Sequence, residues 1–320
     1  MDYVNLGRSG VKVSKIALGC MSFGREADEE ESMRMVNRAL DYGINFFDTA
    51  NSYSNGRSEE ILGEALKGKR NRVVIGTKVS NPMGEGPNDR GCSRYHILRS
   101  VEESLRRLHT DRIDLYQIHR FDPGTPLDES LRALDDLVRW GKVIYIGCSN
   151  FTFQQLANGL GISKASGLTS FISLQPMYNI LKPEPESDLL PLCLREGIGV
   201  IPYNPLAGGF LTGKYQSDRV PSAGTRLGDQ TIYQERYLSE ENFRRTSLFL
   251  EIAKRRGLNP IGLAVAWAAS HPAVTCPIIG ARNEKQLRET LELASVKLSI
   301  EEREQIKKEV WGQANEDEAP

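Results

Sequence analysis

The feature that most constrains the fold is a regular alternation of short apolar segments with amphipathic segments along nearly the whole chain. Strands that alternate with helices pair in parallel through right-handed crossovers, and strands that are apolar on both faces are typical of sheets covered by helices. Eight such units predict an α/β fold, a closed (β/α)8 TIM barrel. The predicted barrel strands are Ile16–Gly19, Ile44–Asp48, Val73–Lys78, Leu115–His119, Val143–Ser149, Phe171–Gln175, Gly199–Tyr203 and Pro277–Ile279.

The segments between these strands have the periodicity of helices that pack one face against a core. In Arg94–Leu108, for example, Leu98, Val101 and Leu105 recur at helical spacing. Ser58 is the expected N-cap of the second helix. The predicted helices are Glu29–Tyr42, Glu59–Leu66, Arg94–Leu108, Glu129–Trp140, Thr152–Leu160, Ser187–Glu196, Ile261–Ser270, Glu284–Glu292 and Ile300–Val310.

Three segments lie outside this alternation. Tyr3–Leu6 and Val11–Lys15 flank a glycine-bounded turn and predict an N-terminal β-hairpin. Leu206–Arg236 follows the seventh barrel strand without a clear period, which predicts a long functional loop. We expect residues 1–311 to form a single unit and residues 312–320 to be an acidic, disordered tail.

Charge and cysteine content exclude several classes of protein. The 320 residues include 41 Lys and Arg and 42 Asp and Glu, so we expect no general attraction to nucleic acid or to anionic membranes. The five cysteines show no CxxC spacing, which argues against a disulfide framework or a zinc site. The N-terminus lacks the apolar core of a signal peptide, and no apolar run is long enough to span a membrane. These features predict a soluble, cytoplasmic protein.

Polar side chains follow three neighbouring barrel strands, at the ends where catalytic groups of such barrels gather. Asp48, Lys78 and His119 close the second, third and fourth strands, and Tyr53 lies in the loop after the second. A phenol is a weak acid, and a nearby ammonium is expected to lower its pKa while a carboxylate holds the ammonium in place. An imidazole can hydrogen-bond a carbonyl oxygen. Together the four groups predict proton donation to a carbonyl, which is half of a carbonyl reduction.

Taken singly, these residues also have plain structural interpretations, and other catalytic motifs are incomplete. An Asp after a strand often forms a turn, and a lone His is more often structural than catalytic. Gly208–Lys214 has Walker A spacing, but Tyr215 replaces the required Ser or Thr. A glycine-rich loop that contacts phosphate through its amides is still compatible with this segment. The chain has no GxGxxG, GxSxG, HxH or HExxH pattern, so neither a Rossmann site nor a metal site is predicted.

Four blocks of sequence resemble the aldo-keto reductase family, and the likeness extends from about Leu6 to about Leu291. The resemblance implies a barrel with the N-terminal hairpin as a plug. It also implies Tyr53 as the general acid, Lys78 and Asp48 as the pair that tunes it, and His119 as the group that orients the carbonyl. The blocks are Gly43–Ala50 with Tyr53, Ser104–Leu108 with Ile113–Tyr116 and His119, Gly147–Phe151, and Gln175–Asn179.

The same resemblance implies that NADPH binds without a Rossmann fold, with NADH as the less favoured cofactor. Gly280 stands where many members have a lysine for the 2′-phosphate, so Arg282 or Lys285 would take that role. Thr290 stands where members often have Asn. The implied cofactor residues are Ser149, Asn150 and Gln175 at the carboxamide, Tyr203 stacked on the nicotinamide ring, Pro205, Leu206, Gly208 and Lys214 along the pyrophosphate with Arg226 as a further candidate, and Gly280, Arg282, Gln286 and Glu289 around the adenosine.

The resemblance therefore implies NADPH-dependent reduction of an aldehyde or ketone to an alcohol, which is reversible in principle. Arg57–Gly63 and Asn204–Tyr215 resemble a branch that includes general reductases and potassium-channel β subunits. The main alternative is thus a nucleotide-binding, redox-sensing partner protein with slow catalysis. A third possibility is a cofactor-free lyase that forms a Schiff base on Lys78. The loop residues suit a polar substrate such as a sugar or a hydroxylated ketone at least as well as an apolar aldehyde. The sequence leaves the substrate and the oligomeric state open.

Overall fold

A computed structural model describes residues 1–216 and 220–312 of the chain. Its strands are β1 (Tyr3–Asn5), β2 (Lys12–Ser14), β3 (Ala17–Gly19), β4 (Phe46–Asp48), β5 (Val74–Val79), β6 (Ile113–Ile118), β7 (Val143–Ser149), β8 (Ser173–Gln175), β9 (Gly199–Val200) and β10 (Ile278–Ile279). Its helices are α1 (Glu29–Asp41), α2 (Arg57–Ala65), α3 (Arg94–Arg107), α4 (Leu127–Arg139), α5 (Phe153–Ser166), α6 (Leu189–Glu196), α7 (Arg226–Asp229), α8 (Thr231–Tyr237), α9 (Glu240–Arg255), α10 (Pro260–Ala269), α11 (Glu284–Leu293) and α12 (Ile300–Trp311).

Within these residues, eight parallel strands form one sheet in the order β10-β3-β4-β5-β6-β7-β8-β9. The two end strands approach each other, because the amides of Thr275 and Ile278 donate hydrogen bonds to the carbonyls of Val200 and Pro202, each at 2.8 Å. Parallel bridges at Val200–Val274 and Tyr203–Ile278 continue this contact. The predicted (β/α)8 barrel is confirmed.

The antiparallel hairpin β1–β2 covers the amino-terminal end of the barrel. Leu6 and Val13, from the hairpin segment, belong to the same buried cluster as Phe46, Leu115 and Ile201 from the barrel. Both hairpin side chains are fully buried, which contributes about 1.5–3 kcal/mol each by removing apolar surface from water. With this end filled, the carboxyl ends of the strands form the open face.

The expected N-cap at Ser58 is wrong. Helix α2 begins at Arg57, two residues earlier than predicted, after Gly56 in the left-handed conformation with φ of 91°. The Ser58 hydroxyl is fully buried and donates to the carbonyl of Cys20 at 2.7 Å, and it lies 2.8 Å from Thr49 Oγ1. Ser58 therefore ties α2 to the loops after β3 and β4, which position Tyr53.

The described parts of the long segment after β9, residues 206–216 and 220–236, are more ordered than the sequence suggests. They contain a 3-10 helix at Ala207–Thr212 and the short helices α7 and α8. Helix α9 was not predicted, although Ser239 caps it by accepting a hydrogen bond from the Asn242 amide, and Phe249 and Ile252 lie on its buried side. Strand β9 is shorter than predicted because Pro202 has no amide hydrogen to donate to a ladder.

The remaining sequence expectations concern the tail, the cysteines and membranes. Residues 313–320 of the predicted tail lie outside the described residues. All five cysteines lie in the described part of the chain, where they are buried and unpaired. None of the helices in this part combines the length and the apolar character that crossing a membrane requires.

Candidate active site

Asp48, Tyr53, Lys78 and His119 meet at the open face of the barrel. Lys78 Nζ donates to Asp48 Oδ2 at 2.6 Å and to Tyr53 Oη at 3.4 Å. The Tyr53 and His119 rings pack edge to face, with centroids 5.7 Å apart. Asp48 ends β4, Lys78 is the penultimate residue of the adjacent strand β5, and His119 directly follows β6. The strand order therefore brings distant parts of the sequence into one cluster.

The ion pair between Lys78 and Asp48 is almost completely shielded from water, with exposed fractions of 0% and 3%. A buried ion pair needs further hydrogen bonds to offset desolvation. Lys78 Nζ also donates to the carbonyl of Thr49 at 2.7 Å, and Asp48 Oδ1 accepts from Gln117 Nε2 at 3.2 Å and Gln175 Nε2 at 2.9 Å. Sequence reasoning missed Gln117, which its polar character inside the apolar strand β6 could have revealed.

Burial governs the acidity of Tyr53. It raises the pKa of the phenol above its usual value, and the Lys78 ammonium opposes this effect without cancelling it. The expected lowering of the Tyr53 pKa is therefore wrong for the protein alone, because desolvation of the phenolate outweighs its attraction to Lys78. At neutral pH the phenol is protonated and can act as a proton donor.

Lys78 is held in its charged form. Burial alone would lower the pKa of the Lys78 ammonium, but the Asp48 carboxylate and the Tyr53 oxygen raise it above its usual value. A Schiff base requires the neutral amine as the nucleophile. This electrostatic arrangement disfavours the lyase interpretation of Lys78.

His119 is a neutral imidazole whose orientation depends on Asn81. Burial and the nearby Lys78 ammonium hold the pKa of His119 well below its usual value. The side-chain amide nitrogen of Asn81 lies 3.1 Å from His119 Nδ1. Because an amide nitrogen can only donate, Nδ1 accepts, and the imidazole proton is on Nε2. Sequence reasoning missed Asn81, which gave no signal beyond its position near Lys78.

Two features fix Asn81 in this position. Its amide nitrogen also donates to Ser52 Oγ at 3.2 Å, in the loop that carries Tyr53. The preceding residue, Ser80, has a φ of 130°, a conformation that is rarely populated by residues other than glycine. Strained backbone of this kind is concentrated at functional sites.

A cleft of about 730 Å³ extends from the four groups across the open face. This volume is within the range of about 300–1,000 Å³ that is typical of small-molecule sites. Asp48, Tyr53 and His119 line the cleft, whereas Lys78 lies behind them. All twelve sequence-predicted cofactor residues also line it: Ser149, Asn150, Gln175, Tyr203, Pro205, Leu206, Gly208, Lys214, Gly280, Arg282, Gln286 and Glu289.

The predicted nicotinamide residues form a hydrogen-bonded chain beside His119. Ser149 Oγ donates to the carbonyl of Gln175 at 2.8 Å, and Asn150 Nδ2 donates to the carbonyl of His119 at 3.0 Å. Tyr203 Oη donates to Asn150 Oδ1 at 2.9 Å. The side chain of Gln175 is directed to Asp48, so it belongs to the cluster around the acid as well as to the cleft.

The predicted phosphate region is rich in cations and lacks the architecture of a P-loop. Gly208 and Gly209 have positive φ angles inside the 3-10 helix. A P-loop lies between a strand and an α-helix, but no strand leads directly into this segment and no α-helix directly follows it. Lys214 lies against Gly209, whose missing side chain leaves room for its Nζ atom. Lys214 and Arg226 both line the cleft, a donor set that fits the pyrophosphate of a dinucleotide.

The far end of the cleft fits an adenosine group. Gly280 is open, since a Cβ atom there would meet only the Gly19 carbonyl at 3.9 Å. The Arg282 backbone amide donates to Gln286 Oε1 at 2.9 Å, and its guanidinium donates to the Gly224 carbonyl. Arg282 and Thr290 line the cleft, whereas Lys285 does not. In the part of the chain that the structure describes, no group of three or more His, Cys, Asp or Glu could hold a metal ion.

A sequence model of the Aldo/keto reductase family matches residues 15–310 of the chain. The chain belongs to this family. Membership makes this aldo/keto reductase an NAD(P)H-dependent oxidoreductase, and its oxidoreductase relatives support carbonyl reduction as the general reaction.

Similar proteins include enzymes and proteins named as channel subunits. The uncharacterized oxidoreductase YrpG of Bacillus subtilis is 39% identical to this aldo/keto reductase, over 94% of this chain and 93% of its own. Versiconal hemiacetal acetate reductase of Aspergillus parasiticus is 38% identical, over 94% and 95%. A probable voltage-gated potassium channel subunit beta of Arabidopsis thaliana is 38% identical, over 92% of each chain.

Proposed function

We propose that this aldo/keto reductase uses NADPH to reduce an aldehyde or ketone to an alcohol, with Tyr53 as the general acid, and that the reaction is reversible. The observation that carries the proposal is the cluster of phenol, ammonium, carboxylate and imidazole at one end of the cleft. Cofactor binding along the rest of the cleft would place a nicotinamide beside this cluster.

The residues of the cluster have distinct roles in this mechanism. A bound nicotinamide supplies the hydride that adds to the carbonyl carbon. Tyr53 donates its proton to the oxygen of the carbonyl, and His119 donates a hydrogen bond to the same oxygen through Nε2. Lys78 stabilises the phenolate that Tyr53 becomes, and Asp48 holds Lys78 in place. In the reverse direction the phenolate accepts the alcohol proton.

The preference for NADPH over NADH is part of the proposal. Arg282 lines the adenosine end of the cleft, and its planar guanidinium suits a 2′-phosphate. A cytoplasmic location is supported by the five buried, unpaired cysteines, which suit a reducing compartment.

A second candidate is a nucleotide-binding, redox-sensing partner protein with slow catalysis. Its support is the similarity to proteins named as potassium channel β subunits from Arabidopsis thaliana, Oryza sativa and Schizosaccharomyces pombe. The two candidates differ in rate. Turnover of about 1 s⁻¹ or more on some carbonyl compound, within the usual range for enzymes, would support the reductase, and tight cofactor binding with far slower turnover would support the partner protein.

Tyr53→Phe tests the role of the acid. The substitution removes only the hydroxyl that donates the proton, so we expect turnover to fall by about 10²–10⁴-fold, the usual contribution of general acid catalysis. Turnover is followed by the absorbance of NADPH over a panel of aldehydes and ketones, and cofactor binding by fluorescence titration. Cofactor affinity should change little, because phenylalanine keeps the ring of Tyr53 and the residues predicted to hold the cofactor are unchanged. A variant that reduces good substrates at the parental rate would show that Tyr53 is not the acid.

A further inference from the structure

The cleft carries arginines near the catalytic cluster that the proposed chemistry does not use. Arg120 directly follows His119 at the end of β6, and Arg236 lies on α8, a different part of the chain. Both line the same cleft as Tyr53 and His119. Arg120 is exposed and Arg236 is half-buried, so both can reach a molecule in the cleft.

Among residues 1–216 and 220–312, no carboxylate pairs with Arg120 or Arg236, whereas Arg25 and Arg226, which also line the cleft, both pair with Glu26. The Arg236 guanidinium lies 5.7 Å from the centre of the Tyr233 ring, which is the adjacent wall of the cleft. The acidic residues that line the cleft are Asp48, which is paired with Lys78, and Glu289 at the adenosine end. The region beside the catalytic cluster is therefore positively charged.

The charges of both arginines act on groups in the catalytic part of the cleft. Besides burial and Lys78, Arg120 contributes to the lowered pKa of His119. Burial raises the pKa of Tyr203, and Arg236 and Arg120 both oppose that rise. Tyr203 is the predicted partner of the nicotinamide ring, so both positive charges act on the part of the cleft where a carbonyl would be reduced.

The dinucleotide phosphates have other partners in the cleft. Lys214 lies beside Gly209, and Arg282 lies between Gly224 and α11. These cations are on the segments that form the predicted pyrophosphate and adenosine regions. Arg120 belongs to neither segment, because it follows β6 next to the catalytic histidine.

We propose that the carbonyl substrate carries an anionic group, a phosphate monoester or a carboxylate, that Arg120 and Arg236 bind while its carbonyl faces Tyr53 and His119. A guanidinium binds either anion through two parallel hydrogen bonds. The inference rests on the proposed reductase function and names the substrate class of that site. The anion fixes the position of the substrate and leaves the proton transfer to Tyr53.

Matched pairs of aldehydes test the substrate class. Glyceraldehyde 3-phosphate is compared with glyceraldehyde, and succinic semialdehyde with butanal, at saturating NADPH. We expect kcat/KM for the preferred charged aldehyde to exceed that of its neutral counterpart by about 10- to 100-fold, as charge-assisted hydrogen bonds provide. The pair with the larger ratio identifies the phosphate or the carboxylate. Ratios near one or below in both pairs would overturn the proposal.

Arg120→Gln and Arg236→Gln test the two residues. Each substitution should reduce the charged-to-neutral ratio of kcat/KM by about 10-fold or more. The control is Arg244→Gln, an exposed arginine on α9 that pairs with Glu241 and should leave the ratio unchanged. The proposal is overturned if the two variants keep the parental ratio, or if they lose affinity for NADPH in parallel, which would assign the arginines to the cofactor.

A binding measurement separates this proposal from the proposed function. Titration calorimetry compares glycerol 3-phosphate and succinate with glycerol and butanol on the protein saturated with NADP⁺. If the parent protein binds either anion and Arg120→Gln does not, the anion site is supported. This holds even if no aldehyde is reduced, and in that case only the reductase function fails. Reduction of neutral aldehydes without anion binding would reject the anion site and keep the reductase.

Discussion

At the scale of single residues, the candidate site depends on which groups carry protons. Tyr53 is protonated because burial outweighs the effect of Lys78, and His119 is neutral because burial and Lys78 both oppose its charge. Both groups are thus hydrogen-bond donors toward the cleft at neutral pH. Asn81 does not titrate. Its side-chain amide donates a hydrogen bond to His119 Nδ1, which keeps that nitrogen unprotonated.

Asn81→Asp should favour the protonated form of His119 over the neutral form. A carboxylate beside Nδ1 favours protonated His119, so we expect the His119 pKa to rise and the acidic limb of the pH profile of kcat/KM to move to higher pH. Nitrogen NMR of the imidazole reports the tautomer and the pKa directly. Asn81→Ala is the matched control, which removes the donor without adding charge. Equal His119 titration in the two variants would show that Asn81 does not set the protonation of His119.

At the scale of elements, the buried guanidinium of Arg303 holds α12 against the barrel. The Arg303 side chain is fully buried and donates to Tyr178 Oη and to a Glu186 carboxylate oxygen. Its guanidinium lies 4.3 Å from the centre of the Trp267 ring on α10. Lys307 Nζ, one turn further along α12, donates to Glu186 Oε2 at 2.6 Å. This cluster links α12 and α10 to the segment between β8 and α6.

Arg303→Met should destabilise the fold by about 3–5 kcal/mol, the usual cost of removing one partner of a buried ion pair. Methionine fills much of the volume, but it leaves the mostly buried Glu186 with Lys307 as its remaining cation. Urea unfolding measures the change in free energy. The control is Arg255→Met, because Arg255 of α9 is an exposed residue that pairs with Glu309 of α12. Its loss should cost at most about 1 kcal/mol. Similar losses in the two variants would contradict a special role for the buried cluster.

At the scale of the whole molecule, histidines whose pKa values are lowered by the fold make stability depend on pH. Burial lowers the pKa of His271 to about 4 from an ordinary value of 6.5, with Arg303 contributing, and burial also lowers the pKa of His96. His271 Nδ1 accepts a hydrogen bond from the Ala273 amide at 3.1 Å, which protonation would break. Between these pKa values the unfolded chain binds more protons than the native protein, so stability falls as the pH is lowered.

We therefore expect the urea midpoint to decrease steadily from about pH 7 to about pH 4.5. His271→Gln, which can still accept the Ala273 hydrogen bond but does not titrate, should show a shallower decrease in that range. Circular dichroism at matched ionic strength follows the transition. A His271→Gln variant with the same pH slope as the parent would show that this imidazole does not contribute.

Much of the fold and the site could be predicted because the signals are local. Strands such as Val143–Ser149 are apolar runs whose character does not depend on distant residues. Asp48, Lys78 and His119 could be found because each stands at the end of such a run. Ser58 was misassigned because its hydroxyl is used by tertiary partners rather than by its own helix.

The sequence by itself determined the alternation of strands and helices, and hence the barrel and the face on which the polar residues gather, because periodicity and strand ends are written along the chain. Only the tertiary structure decided the raised pKa of Tyr53, the roles of Gln117 and Asn81 as hydrogen-bond partners, and the positive charge beside the catalytic cluster. These properties depend on burial and on distances between residues that are far apart in sequence, and folding alone sets both.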